Sequence, residues 1–373
     1  MKIESLKISN FRSFDQDGIE LNLHPQMNIF IGENNVGKSN IFAALEMVRQ
    51  PTGVLDCHRG NESALVTARA ILTPSAAEIE QLASIFINNA AHEASRDATN
   101  PEEVYGLLRD TIRSELCKNL EVAVECRPSE SREVTIYIKI GFLFLDGNHG
   151  SLHNRRPPRY QLQWVECLKE YAGKRGRREE ISLQKMIDNS ISDSIARRGP
   201  GDYVIQFPSG PKESVEEQVR EVITSKLKTV PDIRLRPPIG RVSATLESLN
   251  GTDLASVLFT LKNNKDMVLR GKFELIRQKF EELFPGLTFE SVTGPNVLFR
   301  DSNSPPYEVP VQAVGMGIVE TLNFITNLMG LKDQILLIDT PESHLHPHSQ
   351  RLLAKIFHEY KSENQVFLIT HSP

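Results

Sequence analysis

The run Gly32-Glu-Asn-Asn-Val-Gly-Lys-Ser39 spaces two glycines, a lysine and a hydroxyl in the pattern GxxxxGK[ST]. Small residues at such spacing let backbone N–H groups wrap a phosphate at a helix N-terminus, where the dipole is positive. Lys38 is then placed to reach β- and γ-phosphates, and the Ser39 hydroxyl to ligate Mg²⁺. Gly32, Glu33, Asn34, Asn35, Val36, Gly37, Lys38, Ser39 and Asn40 are the candidate nucleotide contacts. Such a match carries weight between a buried strand and a helix. Met27-Asn-Ile-Phe-Ile31 reads as that strand, and Asn40–Val48 as that helix. A second apolar run, Ile335-Leu-Leu-Ile338, delivers Asp339 at its C-terminal edge, where a carboxylate can hold Mg²⁺ through water. Ser39 and Asp339 are the candidate metal-binding residues.

Lys38 and Asp339 lie 301 positions apart, many more than a few βα units need, so a large insertion must interrupt the core. Segment 154–198 is the obvious candidate. It holds eleven basic and six acidic residues, an excess of +5 that leaves −10 for the rest of a chain of net charge −5. Helical spacing dominates it and returns at 213–229. Its basic face is the best sequence evidence for nucleic-acid contact, and a solvated face with arginines paired to Glu179 and Glu180 accounts for it equally well. Trp164, the only tryptophan, suits stacking on a base or ordinary packing. His344, His346 and His348 invite a metal reading, but Pro347 interrupts the spacing and no cysteine is nearby, so a loop after the Asp339 strand is the expectation.

The elements that must position these residues belong to an α/β chain. With 373 residues, 39% hydrophobic, two domains are expected, and the composition excludes a disordered acidic chain and a uniformly basic nucleic-acid coat. Cys57, Cys117, Cys126 and Cys167 form no CxxC pair, which argues against a zinc or disulfide framework. No apolar run approaches the ~20 residues of a membrane span, and the N-terminal stretch lacks a signal-peptide core, so a cytoplasmic protein without membrane partners is expected. Residues 65–72, 121–126, 133–145, 287–300, 335–338 and 365–369 read as strands, and 147–160 as a loop. Helices are expected near 74–90, 252–263, 268–284, 315–330 and 347–360.

Taken together, several stretches resemble the RecF/SMC-like branch of ATP-binding-cassette ATPases, and within it the OLD (overcoming lysogenization defect) family. Ile8-Ser-Asn-Phe-Arg-Ser-Phe14 resembles the opening strand, and Gly32–Asn40 the phosphate loop. Asn250-Gly-Thr-Asp-Leu254 resembles a mid-domain OLD motif, and Val314-Gly-Met-Gly317 the signature loop. Ile338-Asp-Thr-Pro-Glu-Ser-His-Leu-His-Pro347 resembles the Asp-Glu-Pro-Glu…Leu-His-Pro stretch, and Thr370-His-Ser-Pro373 the switch-histidine motif. The likeness covers about 1–75 and 230–373.

The resemblance implies an ABC/RecF-like P-loop ATPase core interrupted by a mainly helical insertion. Its parts would be a phosphate-loop portion at 1–75, an α/β continuation at 76–150, a basic insertion for dimerisation or DNA contact at 151–229, and a signature, Walker B and switch portion at 230–373. It implies ATP and Mg²⁺ as cofactors, and a homodimer or higher even oligomer with ATP between subunits. The signature loop around Gly315 and Gly317 would meet the nucleotide of the other subunit. His371 would sense the γ-phosphate, and Arg12 would touch phosphate or ribose. A nuclease-type effector would follow, as a partner protein or a C-terminal Toprim domain, with a role in antiphage defence.

Three departures shape the expected activity. Thr340 stands where the family places the water-polarising glutamate, and a threonine hydroxyl is no general base at neutral pH. Glu342, two residues on, is the candidate substitute, so Asp339, Glu342 and His371 form the expected catalytic set. Gln312 stands about where a γ-phosphate-sensing serine is usual, and the sequence stops at Pro373, where the family adds another helix and strand. Slow hydrolysis driving an effector, a non-hydrolysing ATP-sensing scaffold and a RecF-like DNA-repair ATPase are the three readings carried forward.

Overall fold

The computed structural model describes residues 1–33, 36–49, 61, 63–94, 113, 120–126, 134–140, 143–149, 159–162, 204–206, 215–230, 254–292, 296–301, 307–310 and 313–372. The chain divides into two units, Met1–Leu23 with Ala43–Ile223, and His24–Phe42 with Thr224–Pro373.

The first unit is built on an antiparallel sheet. Its strand order is β2 (Ile19–Asn22), β1 (Lys2–Ser9), β4 (Val66–Thr73), β5 (Leu120–Cys126), β6 (Val134–Ile140), β7 (Leu143–His149), β8 (Arg159–Leu162) and β9 (Val204–Gln206). Ile3, Leu6 and Ile8 of β1 are buried although their spacing is three and then two. A register shift between Ile3 and Ser5 explains it, since the extra residue returns Leu6 to the face of Ile3. Rows then form across three strands: Ile3 beside Leu72 beside Leu120, Leu6 beside Ala70 beside Val122, and Ile8 beside Ala68 beside Val124. Bulky residues on the outer strands pack over the alanines of β4, and α2 (Ala76–Ala94) adds buried Leu82 and Ala83.

Of residues 147–160, expected as a loop, the described ones, 147–149 and 159–160, instead extend two strands. His149 and Asn148 pair with Val134 and Thr135, and Arg159 with Asp146, so ladder pairing overrides their polar, turn-like composition. Of segment 151–229, expected to be mainly helical, the described residues are β8, β9, α3 (Val215–Lys226) and the first three residues of β10 (Leu227–Val230). Trp164 and the basic residues from Lys169 to Arg198 lie outside the described residues.

The second unit carries a parallel sheet in the order β10, β14 (Ile335–Asp339), β15 (Gln365–Thr370) and β3 (Met27–Ile31). β14 and β15 are buried on both faces, save Asp339 at the tip, as expected where both faces of a parallel sheet are covered. Phe367 at the centre of β15 is fully buried and stacks on Phe30 of β3, with centroids 6.5 Å apart. An antiparallel meander of β11 (Leu287–Val292), β12 (Asn296–Asp301) and β13 (Tyr307–Pro310) lies in the same unit.

Helices α4 (Leu254–Lys262), α5 (Met267–Leu283), α6 (Met316–Gly330) and α7 (Pro347–Tyr360) complete its core. Phe280 of α5 is the hub, with Phe289 edge-on at 5.3 Å and Phe299 tilted at 5.8 Å. Helix α6 is buried nearly along its whole length, including Thr321, Asn323 and Thr326, and the Thr321 hydroxyl donates to Gly317 O at 2.6 Å. Among the described residues, no helix is long and apolar enough to cross a membrane.

Candidate nucleotide site

Strand registry places the chemistry. Thr370 pairs with Ile31 and Ile369 with Asp339, so the carboxyl ends of β3, β15 and β14 finish within one residue of a common line. In an open parallel sheet, ligands bind in the crevice beyond those ends. The phosphate loop leaves β3 there, Asp339 ends β14 there, and His371 follows β15 there. The order of strands puts β15 between the other two, which is why the switch segment comes between phosphate loop and acid.

The loop then turns into α1 (Lys38–Arg49) through Gly37, whose φ of 98° suits glycine and strains any side chain. Lys38 is only 8% exposed. A buried ammonium needs acceptors, and its Nζ donates to Gly32 O at 2.7 Å and Glu33 O at 2.6 Å. Ser39, like Asp339, is exposed. Val36 stands outward, and Asn40 N bonds Gly37 O at 3.0 Å in the first turn. Asn34 and Asn35 lie outside the described residues.

His371 Nδ1 lies 3.2 Å from Gly32 O, the carbonyl that Lys38 also engages. Its backbone is held by Glu342. Glu342 Oε1 accepts from the Thr370 hydroxyl at 2.8 Å, from His371 N at 2.7 Å and from Ser372 N at 3.3 Å. Glu342 Oε2 is enclosed and has no hydrogen-bond partner. Lys38, Gly32, His371 and Glu342 thus form one hydrogen-bonded assembly.

The turn carrying Glu342 is tight. Thr340 has a φ of 45° and His344 one of 63°. Thr340 N bonds Ile369 O at 2.8 Å, Ser343 N bonds Thr340 O at 3.0 Å, and Gln350 Nε2 reaches Glu342 O and Leu345 O. The signature glycines differ in role. A Cβ on Gly317 would sit 2.9 Å from His344 O, whereas one on Gly315 would meet nothing within 4 Å. Gly317 therefore lets the start of α6 close onto the 340–346 turn. Gly315 is the N-cap, with no side chain capping the helix. Both glycines line a cleft of about 480 Å³ together with Phe284, Met316, Leu345 and Ser349 among others.

His346 caps α7, its Nδ1 accepting from His348 N at 3.3 Å, with Pro347 at the first helical position. That use of the imidazole accounts for His346. Among the described residues, no group of three or more His, Cys, Asp or Glu is placed to hold an ion. Mg²⁺ bound through a hydroxyl, a carboxylate and phosphate oxygens needs no such cage. Arg12 lies in the first unit, with a φ of 50° and its guanidinium carbon 5.1 Å from the Phe11 ring centroid. Gln312 and Asn250–Asp253 fall outside the described residues. The parts that motif reading missed are the Thr370 hydroxyl and Gln350, whose partners are distant in sequence or backbone atoms.

A family model described as "AAA ATPase domain" matches residues 1–139, and one described as "AAA domain, putative AbiEii toxin, Type IV TA system" matches residues 167–373. An uncharacterized protein of Methanocaldococcus jannaschii is 30% identical over 205 residues, 51% of this chain and 24% of that protein. The DNA replication and repair protein RecF of Lactococcus lactis is 38% identical over 48 residues, 13% of each chain. The match therefore spans about a quarter of the archaeal relative and about an eighth of RecF. The crystal structure of an SMC head bound to the C-terminal winged-helix domain of ScpA is similar with a TM-score of 0.49 and 12% identity, over 100% of this chain and 90% of that one. The second family model covers more than half of the chain, and the protein is a member of that AAA-domain family of P-loop ATPases.

Proposed function

We propose that this ATPase domain is an ATP-operated switch that pairs with a second copy around nucleotide and governs a nucleic-acid-directed effector of nuclease type, in the manner of OLD proteins and in antiphage defence. The observation that carries the reading is the continuous set of contacts from Lys38 through Gly32 O to His371 and Glu342. The residues fit MgATP: an ammonium held at the loop, a helix N-terminus behind a left-handed glycine, and an exposed hydroxyl and carboxylate in Ser39 and Asp339. Bound MgATP supplies a γ-phosphate whose presence or loss distinguishes two states.

In this reading Gly32–Asn40 bind the phosphates, Ser39 and Asp339 hold Mg²⁺, and Arg12 touches phosphate or ribose. Gly315 and Gly317 are offered to the nucleotide of the second copy. Asp339, Glu342 and His371 make up the polar set that acts at the γ-phosphate. Thr340 cannot take a proton from water at neutral pH, so turnover is slow and binding itself does the switching. The basic segment 154–198 meets nucleic acid, and the protein works in the cytoplasm. The family description, which names a toxin and a type IV toxin–antitoxin system, supports an effector-linked role. RecF similarity over 48 residues supports the second reading, a DNA-repair ATPase.

The test is ATP turnover and molar mass of the purified protein, with and without ATP and DNA, beside Thr340→Glu. ATP binding, ATP-dependent dimerisation and turnover that rises in Thr340→Glu are expected. A monomer at saturating ATP would overturn the dimer, and rapid DNA-stimulated turnover in wild type would favour the repair reading. Nucleic-acid binding should fall steeply with salt if phosphates are its partners, and binding indifferent to salt would remove that partner.

A further inference from the structure

We propose that Glu342 is a positioning residue: its carboxylate locks the backbone just after β15 and thereby sets the His371 ring against the phosphate-loop carbonyl of Gly32. The inference rests on the ATP-switch reading and narrows the part of Glu342 within it. His371 N and Ser372 N lie beyond the last residue of β15, where the strand ladder no longer supplies acceptors. Both donate to Glu342 Oε1, as does the Thr370 hydroxyl, so one oxygen gathers three donors from three successive residues. Hydrogen bonds to an ionised carboxylate are stronger than neutral ones.

The second oxygen argues the same way. Glu342 Oε2 is shut away from solvent without a partner, while a general base needs a water within reach of its free lone pair. On the other side of the turn, the His344 backbone abuts Gly317 at the start of α6, and Gln350 Nε2 bonds Glu342 O. Glu342 therefore joins two parts of one unit: the turn after Asp339, which carries it, and the phosphate loop through His371.

Glutamine and alanine separate holding from proton transfer. The carbonyl of Glu342→Gln still accepts the three hydrogen bonds but takes no proton, and Glu342→Ala does neither. Amide hydrogen exchange of His371 and Ser372 in nucleotide-free protein is measured together with binding of a fluorescent ATP analogue and ATP turnover. The expectation is exchange at least about tenfold faster in Glu342→Ala, with ATP affinity reduced, and both within about threefold of wild type in Glu342→Gln. Turnover lost equally in both variants with unchanged exchange would make Glu342 the base and overturn the proposal. Unchanged exchange in the alanine variant would also overturn it. Should Glu342→Ala fail to fold, Thr370→Val removes one of the three donors and is expected to speed His371 exchange in the same direction; no change there counts against the lock. Failure of the ATP reading shows separately, as absent nucleotide binding in wild type, because the exchange measurement needs no nucleotide.

Discussion

In β4 of the antiparallel sheet every second residue is buried, from Val66 to Leu72, whereas all six residues of β15 in the parallel sheet are buried. The difference decides where polar side chains can act. An antiparallel strand sends its ends alternately to both edges, and its exposed face offers charged residues such as Arg69, paired with Glu121 at 3.1 Å. In the parallel sheet all carboxyl ends fall on one edge, and the two central strands, β14 and β15, are buried on both faces save at the Asp339 tip. Ser39, Asp339, Glu342 and His371 accordingly belong to segments that leave the ends of β3, β14 and β15. Strands buried on both faces gather their chemistry at their tips.

Several substitutions sharpen or break that contrast. The largest effect is expected for Phe367→Ala in the buried β15, which should cost about 3–5 kcal/mol in chemical denaturation; Arg69→Ala on the antiparallel sheet should cost at most about 1 kcal/mol. Equal costs would refute the contrast. Lys38→Ala should weaken ATP binding by roughly 10- to 150-fold, the worth of a charge-assisted contact of about 1.5–3 kcal/mol, with little change in melting temperature. Unchanged affinity would remove the phosphate-loop assignment.

Gly317→Ala should destabilise by about 1–3 kcal/mol because its methyl meets His344 O, while Gly315→Ala, at an N-cap with open space around it, should cost at most about 1 kcal/mol. The pair isolates close approach from helix propensity, since the two glycines are two positions apart at one helix start. The smallest effect belongs to Lys279→Met. Burial lowers the Lys279 pKa, but the hydrogen bonds its ammonium donates to Glu282 and Glu359 outweigh it, and the pKa stands above the ordinary lysine value. Its pairing thus stabilises the fold below about pH 10.5 and is lost as pH rises through the raised value. The variant should lose about 0.2–1 kcal/mol at neutral pH, and less in high salt.

Much of this was legible from residue order because it is local. Pro347 at the first helical position marked α7 over residues 347–360, and the two glycines with Lys38 and Ser39 marked the phosphate loop. Irregular spacing of Ile3, Leu6 and Ile8 blurred β1, and the bulge after Ile3 is its cause. Strand β10 was hidden at the end of an expected helix, since no turn residue separates Lys226 from Leu227 and only pairing with Ile335–Ile338 makes it a strand. β13 follows Pro305-Pro306 too closely to show a pattern of its own. The grip of Glu342 on residues 370–372 needs partners 28 to 30 positions away, which no spacing within a motif can reveal.

Thr340 and His344 both hold positive φ, an arrangement that costs side-chain-bearing residues about 1–2 kcal/mol each. A laboratory library screened only for heat resistance would therefore drift toward glycine or asparagine at these two positions. Such winners would melt higher and yet set the 340–346 turn less firmly, so selection on temperature alone would loosen the backbone that carries Glu342. The tension stored in that turn is what a screen for both properties would be forced to keep.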